Sequence, residues 1–206
     1  MEEVDKSLWV RRKEEFRSRM MEDVEIGYLD RDIIDVLLKF FEREESFTIS
    51  SCSGRIAVVD SPFPWVREPS SVIFKKHAPV SVEEVSSIIR QPAVWRLWGV
   101  VTGPIIHVST LTLEEALRIL EIGREAGMKH SGILSFGRKG IVVELKTGVM
   151  VTTLLKVGDE VIPSQGSLVK VVETLNEALM EGKERLNRLR KVLGLEPLNY
   201  RELWSN

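Results

Sequence analysis

The sequence predicts an α+β fold, a single domain with a mixed β-sheet flanked by helices. Short apolar runs typical of strands are interleaved with a few amphipathic runs typical of helices, without a regular alternation of strand and helix. The 206 residues are 43% hydrophobic and 29% charged, which supplies enough apolar material for an ordinary core. We therefore expect one domain over residues 1–206, with its core at about residues 30–193.

Helices are predicted from apolar spacing and from capping signals at their first residues. The first covers about residues 6–20, and a second follows Asp30, which we expect at the N-cap. Two capping boxes predict two further helices, and Gly127 closes the second of them. Their residue pairs are Ser81 with Glu84 and Thr112 with Glu115. A final helix over about residues 167–193 carries an apolar stripe, with a basic cluster at its far end.

Strands are predicted where short apolar runs lie between turn residues. In chain order these runs are SFTIS, RIAVVD, SVIF, WRLWGVV, PIIHVS, GILS, GIVVEL and VMVTTLL. The segment KTG at 146–148 is predicted to be the hairpin turn between the last two. The stretches FTISSCSGRIAVVD and HSGILSFGRKGIVVEL share the order of strand, turn with Gly-Arg, and strand, which indicates either chance or an internal duplication. A duplication would bring Arg55 and Arg138 near one another.

Composition and charge exclude several classes of protein. The formal net charge of −2 argues against a protein dedicated to nonspecific DNA binding, so a phosphate partner would have to meet local basic clusters. No apolar run approaches the roughly 18 residues of a membrane helix, and the charged N-terminal stretch is unlike a signal peptide. We therefore expect a cytoplasmic protein that binds neither membranes nor DNA. The single cysteine, Cys52, agrees with a reducing compartment.

Motifs for nucleotides and metals do not occur in the sequence. Neither GxGxxG nor GxxxxGK[ST] is present, so a Rossmann nucleotide site and a phosphate-loop NTPase are unsupported. The histidines lack the spacing of metal ligands, so we expect no metal centre. They are His77, His107 and His130. The five tryptophans, Trp95 and Trp98 among them, either stack on a base or fill the core.

The stretch SSCSGR, between two predicted strands, is a candidate site. Its candidate residues are Ser51, Ser53, Gly54 and Arg55. They can form a plain turn, or their hydroxyls, backbone N–H groups and guanidinium can together hold an anion. Two histidines are candidate bases: His107 lies within a predicted strand, and His77 lies in a loop after two lysines.

Five short stretches, in this order and at this spacing, closely resemble the family of tRNA wybutosine-synthesising methyltransferases that carry out the third step of that pathway. They are SSCSGRI, KKH, PIIHV, AGMKHSGI and GRKGIVVEL, and the resemblance runs from about Ser46 to Leu193. It implies an S-adenosylmethionine-dependent enzyme that methylates N4 of a tricyclic guanosine derivative at position 37 of phenylalanine tRNA, in the anticodon loop. In the family that base already carries an aminocarboxypropyl side chain. Because the glycine signature is missing, we expect a fold other than the Rossmann methyltransferase fold.

The resemblance also implies roles for the candidate residues. Anions of the tRNA, the cofactor and the modified base would meet cations and hydroxyls of the site. The cations are Arg55, Arg138 and Lys139, the hydroxyls are those of Ser51, Ser53 and Ser131, and Gly54 and Gly132 adjoin them. His107, or else His77, would accept the proton of the ring nitrogen. Two alternatives stay open: a non-catalytic RNA-binding module, and a methyltransferase that acts on another RNA base or on a small molecule.

Overall fold

A computed structural model describes residues 3–204 of the chain. This range contains six α-helices and nine β-strands. The helices are α1 Lys6–Glu25, α2 Ile34–Glu42, α3 Val82–Ile89, α4 Leu113–Glu125, α5 Gln165–Val192 and α6 Tyr200–Leu203. The strands are β1 Ser46–Cys52, β2 Arg55–Asp60, β3 Ser71–Lys76, β4 Arg96–Thr102, β5 Ile105–Thr110, β6 Gly132–Gly137, β7 Gly140–Lys146, β8 Met150–Val157 and β9 Glu160–Val161.

The chain divides into two compact units. Unit 1 holds the described residues up to Ser53, residues 104–148 and the described residues from Lys183 onwards; unit 2 holds residues 54–103 and 149–182. The long helix α5 contributes its first part to unit 2 and its last part to unit 1. The single domain over residues 1–206, whose outermost two residues at each end lie outside the described range, stays a prediction.

The strands form two antiparallel sheets. Sheet 1, in unit 1, has the order β1-β5-β7-β6, and sheet 2, in unit 2, has the order β3-β2-β4-β8-β9. Neighbouring strands are antiparallel throughout the described residues. The predicted α+β class is confirmed, but two antiparallel sheets replace the expected mixed sheet. Most links between these strands are too short for the crossover that a parallel pair needs.

The hairpin predicted at residues 146–148 is wrong. Strand β7 ends at Lys146 in sheet 1, whereas β8 begins at Met150 in sheet 2, so the two strands do not pair. A short link with a glycine serves a hairpin or a change of sheet equally well, and pairing elsewhere in the chain decides. The sequence left open whether the similarity of two stretches reflects chance or an internal duplication; in the structure β6 pairs with β7, while β1 and β2 lie in different sheets. The two similar stretches therefore do not share a pairing pattern.

The core of unit 1 lies between sheet 1 and the helices α1, α2 and α4. Its centre is aromatic: the ring of Phe47 on β1 lies 5.1 Å from that of Trp9 and 5.5 Å from that of Phe16, both on α1. Full burial of one such side chain contributes about 1.5–3 kcal/mol. Helix α4 comes so close to β7 that a Cβ on Gly123 would lie 2.7 Å from Leu145 Cδ2. The close approach explains why this helix position is a glycine.

Capping residues fix where several helices begin. The predicted capping box before α3 is confirmed, with Ser81 and Glu84 each accepting a hydrogen bond from the other's backbone N–H. Before α4, the Thr112 hydroxyl accepts from the backbone N–H of Glu115, but the Glu115 carboxylate binds Arg43 instead of completing the box. The predicted N-cap Asp30 is wrong, because the residue at that position of α2 is Ile33. The carboxylate of Asp30 accepts instead from the backbone N–H of Ser53, 3.0 Å away.

The core of unit 2 lies between sheet 2, α3 and the first part of α5. Side chains from each of these elements are fully or almost fully buried in it, among them Ile56, Val85, Leu97, Leu155 and Leu175. Asn176 of α5 adds a polar tie, since its side-chain amide both accepts from the N–H of Val80 and donates to the C=O of Val80, each at 2.8 Å. This tie holds the segment that precedes α3 against α5.

Replacing Tyr200 by Phe tests the buried phenol of α6. The ring is 3% exposed, and its hydroxyl has no hydrogen-bond partner within residues 3–204. Burial, and then the charge of Asp32, raise the pKa of Tyr200 far above its usual value. The folded state then keeps the proton that the unfolded state loses above pH of about 10, so the stability that depends on this proton falls as the pH rises further.

We expect Tyr200→Phe to leave the free energy of unfolding at pH 7 unchanged or to raise it by about 1–3 kcal/mol, because the variant no longer buries a hydroxyl without a hydrogen-bond partner. Its stability should also fall less than that of the wild type between pH 10 and 11. Urea unfolding at pH 7 and over pH 9–11 measures both effects. Tyr28→Phe is the control, since Tyr28 is 73% exposed. A loss of stability at pH 7 in Tyr200→Phe would contradict the prediction.

Candidate functional site

Four residues form one row across sheet 1. The register places Ser50 of β1 opposite His107 of β5, His107 opposite Glu144 of β7, and Glu144 opposite Gly132 of β6. Residues that lie directly opposite one another in a sheet point to the same face. The row therefore brings together a hydroxyl, an imidazole and a carboxylate from three separate segments of the chain.

A bulge in β1 makes this alignment possible. Thr48 pairs with Val108 and Ser50 pairs with His107, so the register shifts by one residue at Ile49. In a regular ladder, Ile49 would stand opposite His107. Bulges of this kind redirect side chains and are common beside functional sites. Here the bulge exchanges an apolar neighbour of His107 for a hydroxyl.

The three polar side chains of the row form a hydrogen-bonded chain. The Ser50 hydroxyl lies 2.7 Å from His107 Nδ1, and His107 Nε2 lies 3.1 Å from Glu144 Oε2. A carboxylate can only accept, so Nε2 carries the hydrogen and Nδ1 of the neutral imidazole accepts from the Ser50 hydroxyl. His107 and Glu144 are 24% and 18% exposed. Through this chain, Ser50 can accept a proton while its own proton passes to the imidazole of His107. The resulting imidazolium lies beside the carboxylate of Glu144.

A cavity of about 240 Å³ lies along β1, one of the two edge strands of sheet 1. Its wall contains Ser50 and Ser51, together with two charged residues of α1, Arg19 and Asp23. The remaining lining residues are mostly apolar: Phe16, Met20, Tyr28, Leu29, Leu37, Thr48 and Ile49. A small concave site with apolar walls and a few converging polar groups is typical of ligand-binding sites. Ser50 therefore belongs both to the wall of the cavity and to the hydrogen-bonded row, whereas His107 and Glu144 are not among the lining residues.

Of the serines predicted for the site, Ser51 lines the cavity, whereas Ser53 and Ser131 make internal hydrogen bonds. Ser53 is fully buried, and its hydroxyl accepts from the Lys183 ammonium at 2.8 Å. Lys183 donates its second bond to Asp32 Oδ2 at 2.6 Å. The Ser131 hydroxyl donates to the C=O of Met128 and accepts from the N–H of Lys146. The Ser53 hydroxyl thus belongs to a buried network with Lys183 and Asp32, and the Ser131 hydroxyl links two backbone segments.

The predicted cations Arg138 and Lys139 lie at the turn between β6 and β7. Arg138 Nη2 is 3.3 Å from Asp5 Oδ2, and the C=O of Lys139 accepts from Arg12 Nη1 at 2.6 Å. These contacts tie the turn to α1, while the two cationic side chains are mostly exposed. At about 3.4 Å per residue, Lys139 is about 17 Å along the strand from Glu144. The structure therefore does not bring this pair to His107.

Three predicted residues, Gly54, Arg55 and His77, belong to unit 2, whereas the row lies in sheet 1 of unit 1. Gly54 has a φ of 94°, a conformation that other residues rarely adopt, so the turn in SSCSGR requires this glycine. Its C=O accepts from His77 Nδ1 at 2.9 Å, which assigns the hydrogen of that imidazole to Nδ1. Arg55 begins β2, opposite Thr102. The turn interpretation of SSCSGR thus accounts for Ser53 and Gly54.

Sequence reasoning missed the hydrogen-bonding role of Ser50 and the whole contribution of Glu144. The signal for Glu144 was a single acidic residue in the otherwise apolar strand GIVVEL. The charged residues of the cavity, Arg19 and Asp23, were also missed, although a spacing of four places them on one face of a helix. Among residues 3–204, every helix is too short or too polar to span a membrane.

Comparison with known proteins gives one consistent family. The family profile described as Methyltransferase TYW3 matches residues 11–194. A protein of Saccharolobus solfataricus, named tRNA(Phe) 7-((3-amino-3-carboxypropyl)-4-demethylwyosine(37)-N(4))-methyltransferase, is 40% identical over 97% of this chain and 96% of its own length. A protein of Pyrococcus horikoshii with the same name and the number 1 is 36% identical, over 79% of this chain and 83% of its own.

Solved structures agree with these sequence matches. The PH1069 protein from Pyrococcus horikoshii superposes with a TM-score of 0.85 and 32% identity, covering 92% of this chain and 97% of its own. A protein from Aeropyrum pernix, described as hypothetical, gives a TM-score of 0.71 at 29% identity, covering 82% of this chain and all of its own. Both similarities extend over most of each chain, so the fold as a whole is shared.

Replacing Lys183 by Met tests the buried support beneath the SSCSGR turn. The change leaves the Asp32 carboxylate, which is 5% exposed, without the Lys183 ammonium. Breaking a buried ion pair on one side costs about 3–5 kcal/mol. We expect a loss of this size in the free energy of urea unfolding, and a smaller loss in the double variant Lys183→Met/Asp32→Asn.

Lys170→Met is the matched control, because Lys170 lies on the same helix with a side chain that is 80% exposed. Its ion pair with Glu173 is exposed to solvent, so the loss of this pair should change the free energy of unfolding far less. Equal losses in Lys183→Met and Lys170→Met would mean that the buried pair does not support the fold.

Proposed function

The chain belongs to the TYW3 methyltransferase family, and we propose that it transfers a methyl group to N4 of 7-(3-amino-3-carboxypropyl)-4-demethylwyosine at position 37 of phenylalanine tRNA. The relative from Saccharolobus solfataricus carries this activity in its name and matches nearly the full length of this chain. The observation that favours the same chemistry here is the hydrogen-bonded chain Ser50–His107–Glu144, whose first member, Ser50, also lines a cavity. It supplies a proton acceptor. Methylation of a ring nitrogen that carries a hydrogen requires one, because this hydrogen leaves as a proton.

We further propose S-adenosylmethionine as the methyl donor. When bound, this molecule supplies a methyl group on a sulfonium centre, whose sulfur keeps the electron pair of the broken C–S bond. The part of the donor that corresponds to an amino acid carries one carboxylate and one ammonium group. Arg19 and Asp23 in the cavity wall fit these charges. The base carries the same kind of group in its 3-amino-3-carboxypropyl chain, so the two charged residues suit either molecule.

In this proposal, the proton that N4 loses is accepted by Ser50, and the Ser50 proton passes to His107. The Ser50 oxygen accepts the N4 proton as its own proton passes to His107 Nδ1, over the 2.7 Å between the two atoms. The new N–C bond uses the electron pair that the N–H bond leaves on nitrogen. The imidazolium that forms then donates from both ring nitrogens, and the Glu144 carboxylate stabilises its charge.

The remaining predicted residues are proposed to position the site and to bind phosphate. Gly132 lies opposite Glu144 on β6, and the space around its Cα is open, because a Cβ there would meet nothing within 4 Å. Ser51 offers a hydroxyl to the ligand in the cavity, while Ser53, Ser131, Gly54 and His77 hold the surrounding backbone. The exposed cations Arg138 and Lys139, together with Arg55, are proposed contacts of the tRNA backbone.

The direct test is transfer of a labelled methyl group from S-adenosylmethionine to phenylalanine tRNA that carries the aminocarboxypropylated, N4-unmethylated base. We expect label on this tRNA and none on unmodified tRNA of the same sequence. Label on both would mean a methyltransferase for another base. Binding of tRNA with no transfer and no binding of S-adenosylmethionine would mean a non-catalytic RNA-binding module.

His107→Gln tests the proton acceptor. Glutamine keeps a polar side chain on β5 but cannot take up the proton. General acid–base groups contribute about 10²–10⁴ to the rate, so we expect kcat to fall at least about a hundredfold with little change in KM for tRNA. Glu144→Gln should lower kcat less, because the base remains. His130→Gln is the control, and near-normal turnover of His107→Gln at saturating substrate would rule the role out.

Arg19→Gln tests the charged pair in the cavity and separates its two possible ligands. Loss of a charge-assisted hydrogen bond costs about 1.5–3 kcal/mol, so we expect KM to rise at least about tenfold for one substrate. A rise for S-adenosylmethionine assigns Arg19 to the donor, and a rise for tRNA assigns it to the base. Arg17→Gln, an exposed neighbour on α1 outside the cavity, is the control. Unchanged KM values for both substrates would contradict the assignment.

A further inference from the structure

An aromatic stack lies on the surface of unit 2, in the loop between β2 and β3. The rings of Phe63 and Trp65 are stacked, with centroids 5.0 Å apart and an angle of 11° between their planes. The guanidinium carbon of Arg96 lies 5.1 Å from the centre of the Phe63 ring. Trp65 is 76% exposed, far more than is usual for so large an apolar side chain.

The loop that carries the stack is held by hydrogen bonds. Arg96 Nη1 donates to the C=O of Pro62, the Ser61 hydroxyl donates to the C=O of Phe63, and Trp98 Nε1 donates to the C=O of Ser61, all at 3.1 Å or less. Prolines at 62 and 64 restrict the backbone further. Because the rings are already ordered, a ligand that stacks on Trp65 loses little affinity to ordering the loop.

Neither the folding of unit 2 nor the proposed proton transfer needs an exposed indole. The core of sheet 2 is filled by other side chains, and Trp65 is not among its buried residues. Trp95, whose backbone N–H is held by Asp60, presents a second indole that is 44% exposed. Arg67, in the same loop as Trp65, adds an exposed positive charge. Planar aromatic surface combined with arginine is typical of sites that bind unpaired nucleobases.

We propose that the Phe63–Trp65 stack binds an unpaired base of the substrate tRNA. This inference rests on the proposed function for the identity of the RNA. Every base has a flat aromatic face, so the contact is tolerant of sequence and requires only that the base is not paired. Stacking involves no phosphate, so it adds affinity that does not depend on salt. Trp65 is thus a residue for binding and positioning tRNA rather than a catalytic one.

The test compares Trp65→Leu with Trp65→Phe in the full chain, with fold checked by thermal unfolding. Leucine keeps an apolar side chain but removes the ring, whereas phenylalanine keeps a ring that can stack. The probes are transcribed phenylalanine tRNA and an RNA duplex without unpaired bases, each titrated without methyl donor. Stacking is worth about 1–3 kcal/mol per base, so we expect Trp65→Leu to bind the tRNA at least about fivefold more weakly. Trp65→Phe should stay within about threefold of the wild type.

Two further readouts separate stacking from other causes. The affinity of Trp65→Leu for the duplex should change less than about twofold, because a duplex offers no unpaired base. The slope of log affinity against log salt for tRNA should be that of the wild type, because Trp65 carries no charge. Normal tRNA binding by Trp65→Leu, an equal loss for tRNA and duplex, an equal loss in Trp65→Phe, or an altered salt slope would each overturn the proposal.

The experiment also distinguishes this inference from the proposed function and from a protein partner. Loss of tRNA binding in Trp65→Leu supports the stack even when the wild type transfers no methyl group. Normal binding and normal transfer in Trp65→Leu overturn the stack and leave the proposed function intact. Wild-type self-association in sedimentation that disappears in Trp65→Leu, with tRNA binding unchanged, would assign the surface to a second copy and overturn the inference.

Discussion

The register of sheet 1 is the constraint on which the rest of the candidate site depends. Side chains alternate between the faces of a strand, so a slip of one residue in β5 would exchange His107 with Ile106. Such a slip is costly, because Ile106, Val143 and Leu145 are fully buried. The apolar core on one face therefore fixes the polar row on the other. The bulge at Ile49 adds the last adjustment, since it brings Ser50 rather than Ile49 opposite His107.

Beside this row, a buried ion pair supports the turn that follows β1. Lys183 reaches Asp32 and Ser53 from the last part of α5, and all three are almost or fully buried. A hydrophobic replacement of matching shape could stabilise the fold equally well, because both charges lose their hydration. Unlike apolar contacts, the hydrogen bonds of the ion pair are directional. The Lys183 ammonium that binds Asp32 also donates to the Ser53 hydroxyl, which must therefore lie at one position. That requirement accounts for a serine where the sequence alone allowed either a turn residue or an anion ligand.

Local sequence patterns predicted most helices and strands. The pairing of strands that are distant in the sequence could not be predicted from such patterns. The capping box at Ser81 and Glu84 needs only neighbouring residues, and it was confirmed. The link at 146–148 could not be assigned locally, because its outcome depends on which strands β7 and β8 pair with. The same limit explains the site. His107 stood out as a histidine within an apolar strand, but Glu144 gained meaning only through the register that sets the two side by side.

Under the proposed function, RNA binding would combine contacts of cationic side chains with phosphates and stacking of a base on Trp65. A chain with a net charge of −2 cannot attract tRNA through an overall positive field, so phosphate contacts must come from local cations such as Arg138 and Lys139. Those contacts weaken as the salt concentration rises, whereas the stacking of a base on Trp65 does not weaken. Phosphate contacts alone would also hold paired and unpaired RNA alike. An enzyme that modifies a loop base therefore gains selectivity from aromatic surface, and a nearly neutral chain relies on that surface more than a basic one would.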